Sequence, residues 1–133
     1  MATLGHYGLE RTENHMANEE FIKALSSTNE VELTVSGRRS GRAISMPVWF
    51  VREDDDLDLV PVRGSDSDWY KNVLRGPTIR LTAGGAQLTA RATPITDPAK
   101  VAEIVDKFRA KYGAQDVAAH YSKQDVAAEV PLG

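Results

Sequence analysis

The chain has 133 residues and a mass of 14.6 kDa, which is the usual size of one compact domain. Its 41% hydrophobic and 26% charged residues are typical of a globular protein and exclude a fully disordered chain. Because no apolar run approaches the roughly 18 residues of a spanning helix, we expect no integral membrane segment and predict a cytoplasmic location.

Charge and cysteine content exclude several further classes of function. The formal net charge of −3 and the pI near 5.6 argue against a broad surface for the nucleic-acid backbone, so no nucleic-acid partner is expected. The chain contains no cysteine, which excludes disulfides, thiolate catalysis and iron–sulfur clusters. We expect no metal site because His6, His15 and His120 do not form a ligand cluster. Redox chemistry would therefore need a bound organic cofactor.

The N-terminal part of the sequence differs from the rest. Residues 1–16 are polar and lack periodicity, which predicts a flexible arm or a leader introduced by cloning. Residues 17–133 are predicted to form a single domain. Asn18 is a good helix cap, and an amphipathic helix is predicted from there to about residues 26–29.

Six segments carry strand patterns and are joined by tight turns. They alternate in hydrophobicity or are apolar throughout, and they lie at 31–35, 43–52, 57–62, 78–82, 87–96 and 130–132. Pro47 donates no ladder hydrogen bond, so we place it at a bulge or on a sheet edge. The last segment is predicted to be a terminal edge strand or a docking segment.

Three further segments are predicted to be helical. One follows the cap sequence Asp66–Asp68, one begins at Asp97 and Pro98 and runs to about Tyr112, and a short one covers 115–121. Antiparallel hairpins combined with these helices predict a mainly β (α+β) fold, a small closed or split antiparallel barrel with helices outside it.

The loop Gly37–Arg42 is the most informative candidate site. Its two glycines allow backbone amides to converge, and its three arginines, Arg38, Arg39 and Arg42, supply planar donors for phosphate or carboxylate. We expect Arg63 and Lys71 to flank the same cleft. The alternative is an exposed basic hairpin turn without a ligand.

The order of several motifs makes a family resemblance visible. The loop 37–42 precedes Met46-Pro47-Val48, and Arg63-Gly64-Ser65, the segment 68–73, Gly76-Pro77 and Thr89-Ala90-Arg91-Ala92-Thr93 follow. This series, from about Val31 to Tyr112, resembles the deazaflavin (F-420)-dependent nitroreductase family of the flavin-binding split-barrel superfamily, whose other branch is similar to pyridoxamine 5′-phosphate oxidase.

The resemblance implies a six-stranded antiparallel split β-barrel with flanking helices, usually a homodimer, and a set of site residues. The cofactor's phosphate and acidic tail would meet Arg38, Arg39, Ser40 and Arg42. Backbone groups of Met46, Pro47 and Val48 would face the ring, and the rest of the groove would be lined by Arg63, Ser65, Trp69, Lys71 and Asn72. Tyr112 and Tyr121 would lie in the substrate pocket, and the candidate proton donors are Ser65, Tyr112 and Tyr121.

The activity implied is hydride transfer from bound F-420, with FMN as the alternative cofactor, to a quinone, enone or nitroaromatic substrate. A non-catalytic carrier of a flavin, haem-like or fatty-acid ligand is a second hypothesis, and a dimerisation module is a third. Three arginines at one groove favour a phosphorylated cofactor over an apolar ligand. The acidic segment Asp66–Asp68 departs from the family pattern and is expected to weaken binding of an anionic tail.

Overall fold

The computed structural model describes residues 18–133, so the predicted arm over residues 1–16 lies outside the described part of the chain. A first helix, α1, covers residues 18–25 as predicted. The strands that follow are β1 (Glu30–Ser36), β2 (Ala43–Trp49), β3 (Val51–Glu53), β4 (Asp56–Leu59), β5 (Thr78–Ala83), β6 (Ala86–Arg91), β7 (Thr93–Ile95) and β8 (Ala127–Pro131). The other α-helices are α2 (Asp68–Arg75), α3 (Pro98–Tyr112) and α4 (Ala114–His120).

The strands form two antiparallel sheets of four strands each. The first has the order β2-β1-β5-β6 and the second the order β3-β4-β8-β7. The fold is therefore mixed α+β, as the sequence predicted. The described residues hold eight strands in two sheets, where the resemblance implied a barrel of six.

Two predicted strands change sheet part-way, which accounts for the difference in strand number. The segment 43–52 leaves the first sheet at Phe50 and continues in the second as β3, and the segment 87–96 does the same at Ala92. Both residues are only 2% exposed. Because the chain turns there inside the protein, the side-chain pattern stays apolar and gives no turn signal.

Strand β2 forms one edge of the first sheet, since its only paired neighbour in that sheet is β1. The prediction that Pro47 lies on an edge is confirmed: it stands opposite Glu32 in this outer strand. Of the seven residues of β2 only Val48 is buried, although most of them are apolar.

The prediction of a terminal edge strand near residue 130 is wrong. Strand β8 lies between β4 and β7, with Val130 opposite Leu57 and Ala128 opposite Pro94. Pro131 is tolerated because it stands at the end of the strand.

The helices are fixed by their caps and by their apolar faces. The carboxylate of Asp97 accepts a hydrogen bond from the backbone N–H of Lys100 at 3.2 Å, which caps α3 as the sequence predicted. The apolar face of α3 packs in a core beside the second sheet and comprises Val101, Ile104, Val105 and Phe108. None of the helices within residues 18–133 has the length and apolar character needed to cross a membrane.

Candidate ligand-binding site

The loop between β1 and β2 is closed by its own backbone. The N–H of Gly37 donates to the carbonyl of Arg42 at 2.8 Å, and the N–H of Gly41 donates to the carbonyl of Gly37, also at 2.8 Å. Gly41 has a φ of +72°, which a residue with a side chain rarely adopts. The hydroxyl of Ser40 accepts from the N–H of Arg42 at 3.2 Å. The loop is therefore a defined turn that carries arginines.

Helix α2 holds this loop through Asn72. The Oδ1 atom of Asn72 accepts from the backbone N–H of Arg38 at 3.0 Å and from its Nη1 atom at 2.8 Å. Asn72 is only 3% exposed, so this polar side chain is buried with its acceptor satisfied. The sequence assigned Asn72 to the groove, and the structure gives it a contact with the basic loop.

The loop and α2 enclose a shallow pocket of about 300 Å³, lined by Gly37, Arg38, Arg39, Ser40, Ile44, Asp68 and Asn72. Four predicted cofactor-binding residues therefore meet in one place: Arg38, Arg39, Ser40 and Asn72. Guanidinium and hydroxyl donors at a loop are suited to an anionic group, so the donor set fits the phosphate end of a cofactor. Asp68 also lines this pocket, and its carboxylate lies 3.6 Å from Nη2 of Arg38.

The remaining predicted residues surround this pocket less directly. Met46, Pro47 and Val48 lie on the edge strand β2, which leads away from the loop. Met46 is half-buried, Pro47 is exposed and Val48 is buried. Arg42 and Lys71 are exposed and lie outside the pocket lining. An exposed edge strand beside the basic loop leaves the backbone of β2 accessible to a ligand.

Ser65 is bound to another part of the chain. Its backbone N–H and its hydroxyl donate to the carboxylate of Asp125 at 2.9 and 2.6 Å. The preceding Gly64 has a φ of +55°, and a Cβ there would lie 2.1 Å from the same carboxylate. These hydrogen bonds connect the loop after Arg63 to the segment before β8. The Ser65 hydroxyl is therefore already donating to Asp125.

Trp69 is a core residue in this structure. It is 7% exposed, belongs to the larger apolar core and contacts the ring of Tyr70 edge-on, with 6.4 Å between centroids. The family resemblance implied that Trp69 lines the groove. Its burial favours the core.

An aromatic stack lies at the far end of β2. Trp49 is sandwiched between Tyr112, at 4.3 Å between centroids, and His120, at 4.1 Å. Tyr121 contacts Trp49 edge-on at 5.9 Å. The family resemblance assigned Tyr112 and Tyr121 to one pocket, and the structure does bring them to one cluster. The sequence analysis did not include Trp49 and His120, because no local pattern links residue 49 to residue 120.

The two tyrosine hydroxyls in this cluster differ. The hydroxyl of Tyr112 accepts from the N–H of Phe50 at 3.0 Å and lies 2.6 Å from the carbonyl of Asn29 and 2.9 Å from that of Phe50. The hydroxyl of Tyr121 is buried without a hydrogen-bond partner in the described structure, and burial raises its pKa. Lys111 donates to the Phe50 carbonyl at 2.7 Å, and partial burial lowers its pKa to about 8.

The basic loop and the aromatic stack are separated by the length of β2. Seven strand residues span about 20 Å at roughly 3.3 Å per residue. Two groups of predicted site residues therefore lie apart, a basic group at one end of an exposed edge strand and an aromatic group at the other.

A buried carboxylate in the second sheet was not predicted. Asp58 is 1% exposed, and neither of its oxygens has a hydrogen-bond partner among residues 18–133. Burial, together with the nearby carboxylates of Glu53 and Glu129, raises its pKa from 3.8 to about 6, while Lys107 and Lys100 oppose the shift. Within the described residues, no group of three or more histidines and carboxylates is arranged to hold a metal ion.

Comparison with known protein families assigns the chain to one of them. Residues 21–131 match the family described as uncharacterized protein conserved in bacteria (DUF2255). The chain belongs to this family. No curated protein gives a significant match to this DUF2255 member.

Solved structures share the fold of this DUF2255 chain. An F-420-H2 dependent reductase (FDR-A) is 20% identical with a TM-score of 0.60, covering 77% of this chain and 93% of the other. A putative pyridoxamine 5′-phosphate oxidase from Listeria innocua is 13% identical with a TM-score of 0.63, covering 85% and 90%. HutZ, the heme storage protein from Vibrio cholerae, is 10% identical with a TM-score of 0.63, covering 85% and 87%. At these identities the likeness shows a common fold, that of the pyridoxamine 5′-phosphate oxidase-like proteins.

Proposed function

We propose that this DUF2255 member is an oxidoreductase that binds coenzyme F-420 and passes hydride to an electron-poor small molecule such as a quinone, enone or nitroaromatic. The observation that carries the proposal is the pocket where Arg38, Arg39 and Ser40 converge at one end of the exposed strand β2. The fold shared with an F-420-H2 dependent reductase supports it. FMN is the alternative cofactor, because it also joins a planar ring to a phosphate.

The chain's own residues would bind and orient such a cofactor. Arg39 and Ser40 would donate to the phosphate, and Arg42 and Lys71 would attract the acidic tail from the exposed surface beside the loop. Backbone groups of β2 at residues 46–48 would face the planar ring. The cofactor supplies the hydride when bound, and the protein supplies position and shielding from water.

Proton transfer to the reduced substrate needs a donor, and the three candidates differ in what they already bind. Ser65 donates to Asp125, and the hydroxyl of Tyr112 is engaged by backbone groups of Phe50 and Asn29. Tyr121 is the one of the three whose hydroxyl has no partner among the described residues, but this hydroxyl is buried and burial raises its pKa, so the substrate would have to gain access to it before it could donate. We keep Tyr121 as the first donor to test.

A homodimer would complete the site. The apolar residues of β2 are largely exposed, Ile44 by 41%, and a second copy of the chain would cover them. One solved structure of the same fold, 20% identical over 77% of this chain with a TM-score of 0.61, is described as a domain-swapped dimer.

Haem binding without catalysis is the second candidate. His120 is exposed and stacks on Trp49, and it is the only histidine within residues 18–133. An imidazole beside aromatic rings is a suitable haem ligand. The shared fold of a heme storage protein agrees with this reading.

The first experiment is a titration of the purified protein with F-420, FMN, FAD and haem, followed by quenching of Trp49 and Trp69 fluorescence. A Trp69→Phe variant isolates the signal of Trp49, the indole at the end of the strand proposed to hold the ring. The proposal expects micromolar or tighter binding of F-420. Tighter binding of FMN than of F-420 would assign FMN as the cofactor. Haem binding that is lost in His120→Ala would favour the non-catalytic haem-binding function.

Arginine variants test where the cofactor binds. Arg39→Ala should weaken F-420 binding by about 1.5–3 kcal/mol, the usual contribution of a hydrogen bond to a charged group. Arg91→Ala is the matched control, since this exposed residue lies on β6, three strands away from β2 in the same sheet. Equal affinities of the two variants would contradict the assignment of the tail site.

A further inference from the structure

One residue of the candidate pocket has a charge opposite to what an anion site needs. Asp68, the first residue of α2, lines the pocket and places Oδ1 3.6 Å from Nη2 of Arg38. Nη1 of Arg38 lies 3.5 Å from the backbone carbonyl of the same residue. The guanidinium thus faces both the carboxylate and the main chain of Asp68.

The two partners differ in exposure. The side chain of Asp68 is 74% exposed, whereas that of Arg38 is 29% exposed and is also held by Asn72. Asn72 holds the guanidinium of Arg38, whereas the Asp68 side chain is mostly exposed to solvent. The aspartate is therefore the partner that can move. An anion that enters the pocket meets a guanidinium already paired with a carboxylate.

We propose that Asp68 is a specificity-determining residue: it acts as an internal anion that occupies Arg38 and selects phosphate diesters, which carry one negative charge, over phosphate monoesters, which carry up to two. The inference rests on the proposed function, because it concerns the ligand of the same pocket. At a given distance, repulsion from the Asp68 carboxylate grows in proportion to the charge of the ligand, so a dianion is penalised twice as strongly as a monoanion.

This selection deepens the cofactor assignment. A cofactor whose phosphate is esterified on two sides presents a single charge next to Asp68, and a cofactor ending in a phosphomonoester presents nearly two at neutral pH. At the phosphate group itself, the pocket therefore discriminates by charge between a diester and a monoester. Arg39 and Ser40, which have no contact with Asp68 among the described bonds, provide the donors common to both.

The test uses simple esters, so that the ring does not contribute. Phenyl phosphate and methyl phenyl phosphate are titrated at pH 8 into the full chain, its Asp68→Asn variant and its Asp66→Asn variant, following the backbone amide signals of Arg38 and Arg39 by NMR. Asp66→Asn is the matched control because it removes the same charge two residues away, where Asp66 pairs with Lys123 at 3.1 Å. Near-ultraviolet circular dichroism of the buried Trp69 checks that each variant is folded.

The expected result is unequal gains. Asp68→Asn should raise affinity about threefold for the diester and about tenfold for the monoester at low salt, with smaller gains at high salt. Asp66→Asn should change neither by more than about twofold. Equal gains in affinity for the two esters, or equal gains in Asp68→Asn and Asp66→Asn, would overturn the inference. The proposed function would still stand if F-420 binding depends on Arg39. If neither ester shifts the signals in any of the proteins, the inference also fails, and the proposed function is decided separately by F-420 binding to the parent and to Arg39→Ala.

Discussion

The side-chain oxygen of Asn72 accepts two hydrogen bonds from Arg38, one from its backbone N–H and one from its guanidinium. This pair joins helix α2 to the loop between β1 and β2 over 34 residues of sequence. One buried amide therefore joins the helix to the basic loop. Any ligand of the loop would depend on that amide although it need not touch it.

Replacing Asn72 by alanine should free the loop. The change leaves a main-chain donor and a guanidinium without their acceptor, so we expect the free energy of unfolding to fall by about 1–3 kcal/mol. Hydrogen exchange at the Arg38 amide should become faster at the same time. Asn72→Asp, which keeps an acceptor oxygen in place, should retain slow exchange. Unchanged protection of the Arg38 amide in the alanine variant would show that the bond does not hold the loop.

The two tryptophans should respond differently to truncation. Trp69→Ala should lower the free energy of unfolding by about 3–5 kcal/mol, because the ring is buried in the larger core. Trp49→Ala should cost less, since Trp49 is only half-buried. Urea unfolding of both variants measures the difference. A small loss of stability in Trp69→Ala together with lost cofactor binding would instead move Trp69 from the core to the groove.

Removing the hydroxyl of Tyr112 should affect stability more than reaction rate. Tyr112→Phe keeps the ring stacked on Trp49 but leaves the N–H of Phe50 without its acceptor, which should cost about 1–3 kcal/mol. Thermal unfolding measures this loss. If Tyr121 is the proton donor, Tyr121→Phe should slow substrate reduction at saturating cofactor while Tyr112→Phe changes the rate only a few-fold. The reverse order would assign the donor role to Tyr112.

The buried Asp58 should make stability depend on pH in an unusual direction. Its pKa is about 6 in the folded protein and ordinarily 3.8, so the folded state binds more protons between these values. The free energy of unfolding should therefore fall as pH rises from about 4 to 7. A difference of about two pH units corresponds to roughly 3 kcal/mol.

Asp58→Asn tests this effect. The lowered pKa values of Glu53 and Asp125 produce the opposite trend. The Asp125 contribution is common to both proteins and cancels, whereas Glu53 interacts with Asp58, so its contribution changes in the variant as well. Chemical denaturation at pH 4 and at pH 7 measures the free energy of unfolding. Between these two values it should fall more, or rise less, in the parent than in Asp58→Asn. Parallel pH profiles would mean that Asp58 titrates normally.

Local signals in the sequence predicted the parts of the fold that local interactions determine. Asp97 and Pro98 define the start of α3, Gly76 ends α2, and alternation from Val31 to Val35 defines β1. The division of two long strands at Phe50 and Ala92 was not predicted, because both residues are apolar and the turns they occupy are set by contacts between sheets. The central position of β8 depends on partners 70 residues away, such as Asp58 opposite Glu129.

The candidate site shows the same limit. Arg38 and Arg39 were predicted together because they lie in one basic loop, and Ser40 and Asn72 followed from the family resemblance. The pairing of Asp68 with Arg38 needed the structure, since 30 residues separate them. Asp58 alternates with Leu57 and Leu59, which indicates an exposed side chain, but all three residues are buried.

The place of β8 also bears on synthesis. The second sheet needs residues 127–131 between β4 and β7, so on the ribosome these two strands emerge long before the strand that joins them. Until then the apolar residues Leu57 and Leu59 have no strand on that side, and the nascent chain must keep them from pairing with other chains. Formation of the second sheet therefore has to wait for residues 127–131 and is expected to be slow, since it requires distant segments to meet.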